Sequence, residues 1–486
     1  MGDYSVPENI RALKPKGTII KKIKGNYYVY SHSQVKDEKT NKWKTTPGKL
    51  LGKIVPNVGF CPKESKIDSV DSITCFDYGE YLLTCGIAKT EYDLLTKIFN
   101  PDEAMTLFYM ASFYAINGFI GLKALDLNYD RSLIHRDYPC LKFSYHLVSK
   151  LLELIGRTNK QNEYQKIAID SSSNTIAFDG HVIPTFSDNN DLASLGFKSK
   201  VNKSTYMNLM VALDIKTLEP IATQVFPGYS LDKTNFIPFC DTIGNISDKI
   251  ILIDMGFFSL DNLKYIEEKK GYYVIPVSEN RIEYKEISKN KRGRLAQFLY
   301  HKNNKIDTVE YKEKTIDGRK IIYYKNISEA EKLSSLYLLN LENCKPGYSM
   351  EEYNNQYESF GVIVLETNLD KTPKEIYELY KSRWSIESYY DRLKNGIHFE
   401  SLNLDDYAVT QGLAFVMMIA GRIDAKIYDA AKKVKLTRKE LIQLMKYLKL
   451  YDDGKNNIKV LNVKKQHQQV LSNLNILLDA TKKCLS

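Results

Sequence analysis

Residues 249–278 read KIILIDMGFFSLDNLKYIEEKKGYYVIPVS, and the order of segments within them decides the fold class. KIILID is a short apolar run typical of a buried strand, and GYYVIPVS is a second run of the same kind. The intervening SLDNLKYIEEKK is predicted to be a helix. A strand, a helix and a strand in succession favour an α/β architecture.

The segments upstream extend this pattern. QKIAIDSSS, at 165–173, is predicted to be a short strand that delivers Asp170 at its end. TYMNLMVALDI, at 205–215, alternates apolar residues on one face, and IATQVF, at 221–226, completes a hairpin with it. SLDKTNFIPFCDTIG is a predicted helix. Three antiparallel strands followed by alternating helices and strands predict an α/β layer sandwich around a mixed sheet.

The pattern changes in the next part of the chain. Residues 281–330 carry 13 Lys or Arg against 7 Asp or Glu, and they are strand-like with interleaved aromatic residues. Residues 359–368 are again a predicted strand. A β-rich insertion at 279–366 is the simplest account, and the alternative is a solvated loop.

Composition and charge limit the class of protein. The chain has 486 residues, 43% hydrophobic and 26% charged, which is ordinary for a globular protein of several structural units. The formal net charge is +10, and residues 1–60 hold 12 Lys or Arg against 4 Asp or Glu, while residues 431–486 hold 13 against 4. Basic ends favour a polyanionic partner, because neutralising phosphates releases counterions. The alternative is a Lys-rich composition inherited from an AT-rich genome.

Other sequence features exclude several classes. The seven cysteines form no C-x-x-C pair, so neither a zinc ribbon nor a disulfide framework is predicted. The start, MGDYSVPENIRALKPKG, lacks the apolar segment of a signal peptide, and we expect a protein of the reducing cytoplasm. The apolar run Leu413–Ala420 is too short to span a bilayer and predicts a buried helix. Without a P-loop, a dinucleotide fingerprint, an H-E-x-x-H or a nucleophile elbow, ATP, NAD, zinc-protease and serine-hydrolase chemistry are not expected.

The segment YKSRWSIESYYDRLKNG, at 380–396, lies in a long helix predicted at 371–394. At about 100° per residue, four of its polar residues fall within an arc of roughly 60°: Tyr380, Arg383, Glu387 and Lys394. An adjacent apolar stripe can pack this side against a core. The alternative is a solvated ladder of charges, in which an i, i+4 pair contributes only a few tenths of a kcal/mol.

Two further carboxylates share a sequence context. Asp170 and Asp254 each follow an apolar run at the predicted end of a strand. Alone, either one could simply cap a turn or a helix. Together with Glu387 they can converge on a pair of divalent cations, which prefer oxygen ligands. Two such ions can activate an attacking oxygen and stabilise the leaving oxygen of a phosphodiester.

These segments resemble the DDE transposases of bacterial insertion sequences. In particular they resemble the insertion-sequence-four group in the broad sense, marked by Y-x-x-R-x-x-x-E-x-x-x-x-x-x-K. The signature is matched at every position, by Tyr380, Arg383, Glu387 and Lys394. IAIDSSS and ILIDMGFFSLDNL resemble the segments around the family's first and second Asp, and FPGYSLD lies between them. The resemblance covers about residues 165–425 and, more weakly, residues 17–60.

The resemblance implies a transposase that cleaves insertion-sequence ends and transfers the strands into target DNA, with two Mg²⁺ or Mn²⁺ ions. The implied catalytic and metal-binding residues are Asp170, Asp254 and Glu387. The implied DNA-binding residues are Tyr380, Arg383 and Lys394, with Lys291, Arg292 and Arg294 from the insertion. The implied partners are double-stranded DNA, as terminal inverted repeats and as target, and a second copy of the chain in the DNA complex.

The implied fold is α/β: a ribonuclease-H-like mixed-sheet core with a β-rich insertion, a small N-terminal β region and flanking helices. The expected regions are 1–88, basic and β-rich; 89–160, helical and DNA-binding; 161–278 and 367–430, the two parts of the core; 279–366, the insertion; and 431–486, basic and helical.

Some questions stay open at this point. Relatives that cleave through a DNA hairpin stack a flipped base on an aromatic residue in the insertion, often Trp, whereas Trp43 and Trp384 both lie outside it. Another aromatic residue could replace it, since stacking tolerates any aromatic face. The rival functions are a ribonuclease-H-like nuclease or resolvase without strand transfer, an inactive DNA-binding descendant, and a polyanion-binding structural protein.

Overall fold

The computed structural model describes residues 6–36, 43–56, 59–63, 75–187, 189–195, 205–289, 295–302, 305–399, 401, 404–453, 457–483 and 485. The chain divides into two compact units, Met1–Thr74 and Cys75–Ser486. The six regions expected from the sequence divide the chain more finely and remain predictions.

The smaller unit is a short helix followed by an antiparallel sheet. Its elements are α1 (Glu8–Arg11), β1 (Thr18–Ile23), β2 (Asn26–Lys36), β3 (Trp43–Val55) and β4 (Gly59–Pro62). Over the described residues the strands lie in the order β1-β2-β3-β4. Ile20, Val29 and Ile54 form the buried side of this sheet. The small N-terminal β region expected from the sequence is therefore present as an antiparallel sheet.

The larger unit is built on a long mixed sheet. Its strands are β5 (Cys75–Asp77), β6 (Thr175–Thr185), β7 (Thr205–Asp214), β8 (Pro220–Pro227), β9 (Ile250–Leu252), β10 (Tyr272–Pro276), β11 (Ala296–Lys302), β12 (Lys305–Ile316), β13 (Arg319–Asn326), β14 (Val362–Thr367), β15 (Lys449–Asp452) and β16 (Ile458–Leu461). Where the chain is described, nine strands lie in the order β11-β12-β13-β14-β10-β9-β6-β7-β8, and a second sheet has the order β16-β15-β5.

Helices surround the large sheet. They are α2 (Gly79–Leu95), α3 (Pro101–Asn117), α4 (Leu125–Arg131), α5 (Leu133–Asp137), α6 (Tyr145–Arg157), α7 (Lys160–Asp170), α8 (Asp232–Ile243), α9 (Leu260–Glu268), α10 (Ile282–Lys289), α11 (Ile327–Glu342), α12 (Met350–Gln356), α13 (Pro373–Ser382), α14 (Ser385–Asp391), α15 (Tyr407–Lys433), α16 (Arg438–Lys446) and α17 (Lys465–Asn473). Capping boxes open α3 and α16, where Asn100 and Thr437 each accept from the backbone three residues on.

The directions of the strands agree with the predicted mixed sheet. Strands β6, β7 and β8 form an antiparallel meander. Strand β9 pairs parallel with β6, and β10 pairs parallel with β9. Strand β14 returns antiparallel to β10. The order of segments read from residues 249–278 therefore gives the central, parallel part of the sheet.

The strand predicted at 165–173 is wrong, because Lys160–Asp170 is the helix α7. Two buried glutamines explain the helix. The side-chain amide of Gln161 donates to the carbonyl of Thr223 at 2.8 Å, and the Gln165 oxygen accepts from the Thr223 N–H at 2.7 Å. Among the described strands, β8 lies at an edge of the sheet, and these glutamines pair with its backbone groups on the side away from β7.

The insertion is mixed rather than purely β-rich. Strands β11, β12 and β13 form as predicted and extend the large sheet through β14. The helix α10, at 282–289, and the helices α11 and α12, at 327–356, differ from the expected strands. Lys291, Arg292 and Arg294 lie outside the described residues.

Helix α15 is the core of the larger unit. It is long and apolar enough to cross a membrane by composition, and its most apolar window is fully buried in the fold. The predicted buried helix at Leu413–Ala420 is therefore confirmed. The helix crosses α6 at two glycines: a Cβ on Gly412 would lie 2.2 Å from the Leu152 carbonyl oxygen, and one on Gly156 would lie 2.0 Å from that of Ala408. Only glycine permits this close backbone approach.

Candidate active site

Two adjacent parallel strands bring Asp179 and Asp254 together. In the register between β6 and β9, Ala177 is the partner of Leu252. Asp179 and Asp254 each follow by two residues, so both lie at the same level and on the same face of the sheet. Neighbouring strands are about 4.8 Å apart, which brings the two carboxylates close to each other.

The environment of Asp179 disfavours its negative charge. Burial raises the pKa of Asp179 to about 7, against the attraction of Arg383, and repulsion from Asp254 and Asp232 adds to the rise. A pKa this far above that of an ordinary carboxyl indicates a negative charge that the chain alone compensates poorly.

A glycine beside Asp179 makes room for Asp232. A Cβ on Gly180 would lie 2.2 Å from one carboxylate oxygen of Asp232, which lies in the first turn of α8. The same oxygen accepts from the buried side-chain amide of Asn208 at 2.9 Å. Gly180 therefore lets a fourth carboxylate approach the strand that carries Asp179.

Helix α14 carries Glu387 to the same part of the sheet. Its Tyr390 hydroxyl donates to the main-chain oxygen of Asp179 at 2.9 Å, which fixes the helix to β6. The long helix predicted at 371–394 is interrupted between α13 and α14. At the break, Arg383 and Trp384 donate to carbonyls three residues back, at 3.0 and 3.4 Å. This tighter turn places the Arg383 side chain beside the carboxylates.

Arg383 is the centre of the cluster. Its guanidinium donates to Glu387 at 3.0 Å, and its side chain is only 12% exposed, against 47% for Glu387. Burial alone would lower the pKa of Arg383, but the ionisable groups around it raise that pKa: the Tyr380 hydroxyl and the carboxylates of Asp254, Asp179 and Glu387. One buried cation thus faces carboxylates from β6, from the end of β9 and from α14.

Burial raises the pKa of Tyr380, against the attraction of Arg383, whose guanidinium carbon lies 5.9 Å from the centre of the tyrosine ring. Lys394 is exposed and lies in a π-helical turn, Arg392–Gly396, that follows α14. In the described part of the chain, the ion pair of the cluster joins Arg383 and Glu387 and does not include Lys394. The structure therefore brings Tyr380, Arg383 and Glu387 together and places Lys394 beyond a second break in the helix.

Asp170 is not part of this cluster. It is exposed at the end of α7, and its charge acts on Lys249, the residue before β9. Asp254 follows β9, so the two aspartates lie at opposite ends of that strand, roughly 15 Å apart along the chain direction. Asp179 is the residue that sequence reasoning missed. Its signal was the apolar run TIAF directly before it, obscured by the Asp-Gly pair, which usually marks a turn.

The residues of the cluster suit a divalent cation in chemistry. Asp179, Asp254 and Glu387 supply only carboxylate oxygens, which are the ligands that hard cations prefer. Over the described ranges, no three His, Cys, Asp or Glu side chains are already close enough to ligate one ion. The positively charged guanidinium of Arg383 lies among the carboxylates of the cluster and compensates part of their negative charge.

A mixed sheet with carboxylates gathered at its central strands is typical of enzymes that act on phosphodiesters with divalent cations. The chain belongs to the transposase DDE domain family, whose family model matches residues 164–420. A search of curated proteins finds no match. Among solved structures, the chain is similar to the piggyBac transposase in a cryo-EM structure of its synaptic complex with hairpin DNA. The identity is 13%, over 82% of this chain and 85% of that chain, with a TM-score of 0.41.

Proposed function

We propose that this protein cuts the ends of an insertion sequence and joins them to target DNA in a reaction that depends on divalent cations. The observation that carries the proposal is the meeting of Asp179, Asp254 and Glu387 around Arg383 within a transposase DDE domain. Rigid elements hold all three carboxylates, as phosphodiester chemistry requires. With DNA as the partner, the reaction belongs in the bacterial cytoplasm, on the nucleoid.

We assign the core to the ribonuclease-H-like class on the basis of its topology. The strand order β8-β7-β6-β9-β10 combines an antiparallel meander with two strands parallel to its first member. Asp179 lies on the first of these strands, and Asp254 follows the fourth along the chain. The insertion separates β10 from α13 and α14, so the core is completed by the helix that carries Glu387.

The residues that would hold Mg²⁺ or Mn²⁺, two ions in the proposed site, are Asp179, Asp254 and Glu387. The raised pKa of Asp179 supports this assignment, because a bound cation would compensate its charge. When bound, such ions activate the attacking oxygen and stabilise the leaving oxygen of a phosphodiester.

Arg383, Tyr380 and Lys394 would hold phosphates of the DNA end. A guanidinium can make two parallel hydrogen bonds to a phosphate, whereas Arg383 here donates to Glu387. DNA binding would therefore exchange a carboxylate partner of Arg383 for a phosphate and leave Glu387 free for the cations. The spacing of these residues supports assignment to the insertion-sequence-four group. Because an element has two ends, a homodimer would assemble on the DNA.

A strand-transfer assay tests this function. A labelled element end is incubated with Mg²⁺ and target plasmid, with wild type, Glu387→Gln or Glu378→Gln. Glu378 is an exposed carboxylate on α13 and provides the matched control. Wild type and Glu378→Gln should cleave and join, and Glu387→Gln should do neither. Cleavage without joining by wild type would favour the nuclease or resolvase, and binding without cleavage would favour an inactive descendant.

A further inference from the structure

Outside the carboxylate cluster, the larger unit contains a basic crevice of about 850 Å³. We call it the hairpin crevice, because the turn between β7 and β8 forms one wall. Its charged lining residues are Lys216, Glu219, Arg392, Lys426, Asp429, Lys432 and Lys433. Five cations against two carboxylates give it a net positive charge.

Internal ion pairs compensate only part of this charge. Lys426 pairs with Glu219 at 2.6 Å, and Lys433 pairs with Asp429 at 2.8 Å. Both carboxylates of the lining are thereby engaged. Lys216, Arg392 and Lys432 remain as cations for which the described lining residues provide no further carboxylate.

Arg392 is the least satisfied of these cations. One terminal nitrogen donates to the Leu218 carbonyl at 3.3 Å. The other terminal nitrogen is buried and has no hydrogen-bond partner among the described residues. Its nearest ion-pair oxygen, on Asp424, is 4.0 Å away, and Arg438 already donates to that carboxylate. A buried donor without an acceptor is costly, so the protein itself compensates the Arg392 guanidinium poorly.

Two of these cations lie over the ring of Tyr428, on one side of the crevice. The Arg392 guanidinium lies 5.6 Å from the ring centre and the Lys432 ammonium 4.8 Å from it. Lys216 faces them from the β7–β8 turn, which Asp214 fixes by accepting from the Lys216 N–H at 2.8 Å. The three cations are thus presented on ordered elements rather than on a free tail.

We propose that the hairpin crevice binds the phosphodiester backbone of DNA a few nucleotides from the cleaved bond, an inference that rests on the proposed function. Position favours DNA over a free anion. Val211 is the register partner of Asp179, and Lys216 follows it by five residues, roughly 16 Å further along the chain. A DNA duplex advances roughly 3.4 Å per base pair, so DNA that reaches the carboxylate cluster can extend to the crevice within about five base pairs. A free phosphate compound would gain nothing from that proximity.

Salt dependence of DNA binding tests the crevice. Anisotropy of a labelled element end is measured in chelator, over a salt series, for wild type and the double variant Lys216→Ala/Lys432→Ala. Each lost phosphate contact lowers the magnitude of the log–log salt slope by about 0.9, so the double variant should lose nearly 2 from the slope. The matched control is Lys269→Ala, since that ammonium also lies over a tyrosine ring, 5.5 Å from the centre of Tyr265, but outside the crevice. The control should keep the wild-type slope.

Three outcomes would overturn either the DNA-binding role of the crevice or the proposed function. An unchanged slope in the double variant, beside a wild type that binds DNA, would reject the crevice and leave the proposed function standing. A wild type that fails to bind DNA at any salt would reject the proposed function itself. Binding of tripolyphosphate that the double variant loses, with an unchanged DNA slope, would assign the crevice to a free polyphosphate. Lys216→Glu, a charge reversal at an exposed side chain, removes one of these contacts and should lower the magnitude of the slope by about 0.9, which checks the result independently.

Discussion

Asp179 is a partly buried carboxylate on a strand next to Asp254. Its pKa is raised by burial from about 3.8 to about 7, so the protonated form is favoured in the folded chain. The stability gained from that proton is present at low pH and is lost as the pH rises through about 7. Between about pH 4 and 7, the unfolded chain has already released this proton while folded Asp179 keeps it, so the fold progressively loses stability over that range in the absence of a cation.

Asp179→Asn should remove this cost. An amide is neutral at every pH, so the gain of the variant over wild type in the free energy of unfolding should be about 2 kcal/mol larger at pH 8.5 than at pH 5.5. Urea unfolding in chelator at the two pH values measures the difference. Asp170→Asn, at an exposed carboxylate, is the control and should change stability equally little at both. An equal effect of Asp179→Asn at both pH values would refute the account of its environment.

The sequence pattern selects Asp170 as the first aspartate of the site, whereas the structure places Asp179 beside Asp254. Asp170 followed an apolar run and looked like a strand-end carboxylate, but Gln161 and Gln165 of the same segment are buried against an edge strand. Glutamine is usually a surface residue, so the helical face that it completes was not visible in the pattern. Asp179-Gly180 resembles a turn, although Gly180 is in fact a strand residue that accommodates Asp232. Asp254, Arg383 and Glu387 could be selected correctly as neighbours because apolar segments next to them fix their elements.

At the level of elements, periodicity predicted strands best where one face is buried. Strands β7, β8, β9 and β10 follow alternating or continuous apolar runs, and all four form. The sequence predicts the long helix at 371–394 without its breaks, because hydrophobic spacing does not reveal a tight turn or a π-helical turn. The helices α11 and α12 were missed for another reason: their side chains are mostly exposed, so they lack a continuous apolar stripe.

The crossing of α6 and α15 gives a test at this level. Gly→Ala within a helix normally stabilises it by about 1 kcal/mol. Gly412→Ala should do the opposite and lower the free energy of unfolding by about 1–3 kcal/mol, because the new methyl group meets the Leu152 carbonyl at 2.2 Å. Gly396→Ala is the matched control, since a Cβ there meets nothing within 4 Å. Urea unfolding of both variants decides: a stabilised Gly412→Ala would show that the helices do not cross this closely.

For the whole molecule, one sheet organises the proposed chemistry. Its central strands hold Asp179 and Asp254, the insertion extends it on one side, and α14 returns to it with Glu387. The sequence motif predicted the helix residues of this site, whereas the partner of Asp254 is set by the parallel register of β6 and β9. A register is a property of the folded sheet, and a single sequence with two candidate aspartates does not specify it.

Cleavage of a labelled element end in Mg²⁺ by Asp179→Asn and Asp170→Asn, beside wild type, distinguishes the two aspartates as members of the proposed active site. Asp179→Asn should bind the end but neither cleave nor join it, because a proposed cation ligand has lost its charge. Asp170→Asn should cleave at the wild-type rate, since that carboxylate lies at the other end of β9. Normal cleavage by Asp179→Asn, or loss of cleavage in Asp170→Asn with binding intact, would contradict the proposed active site.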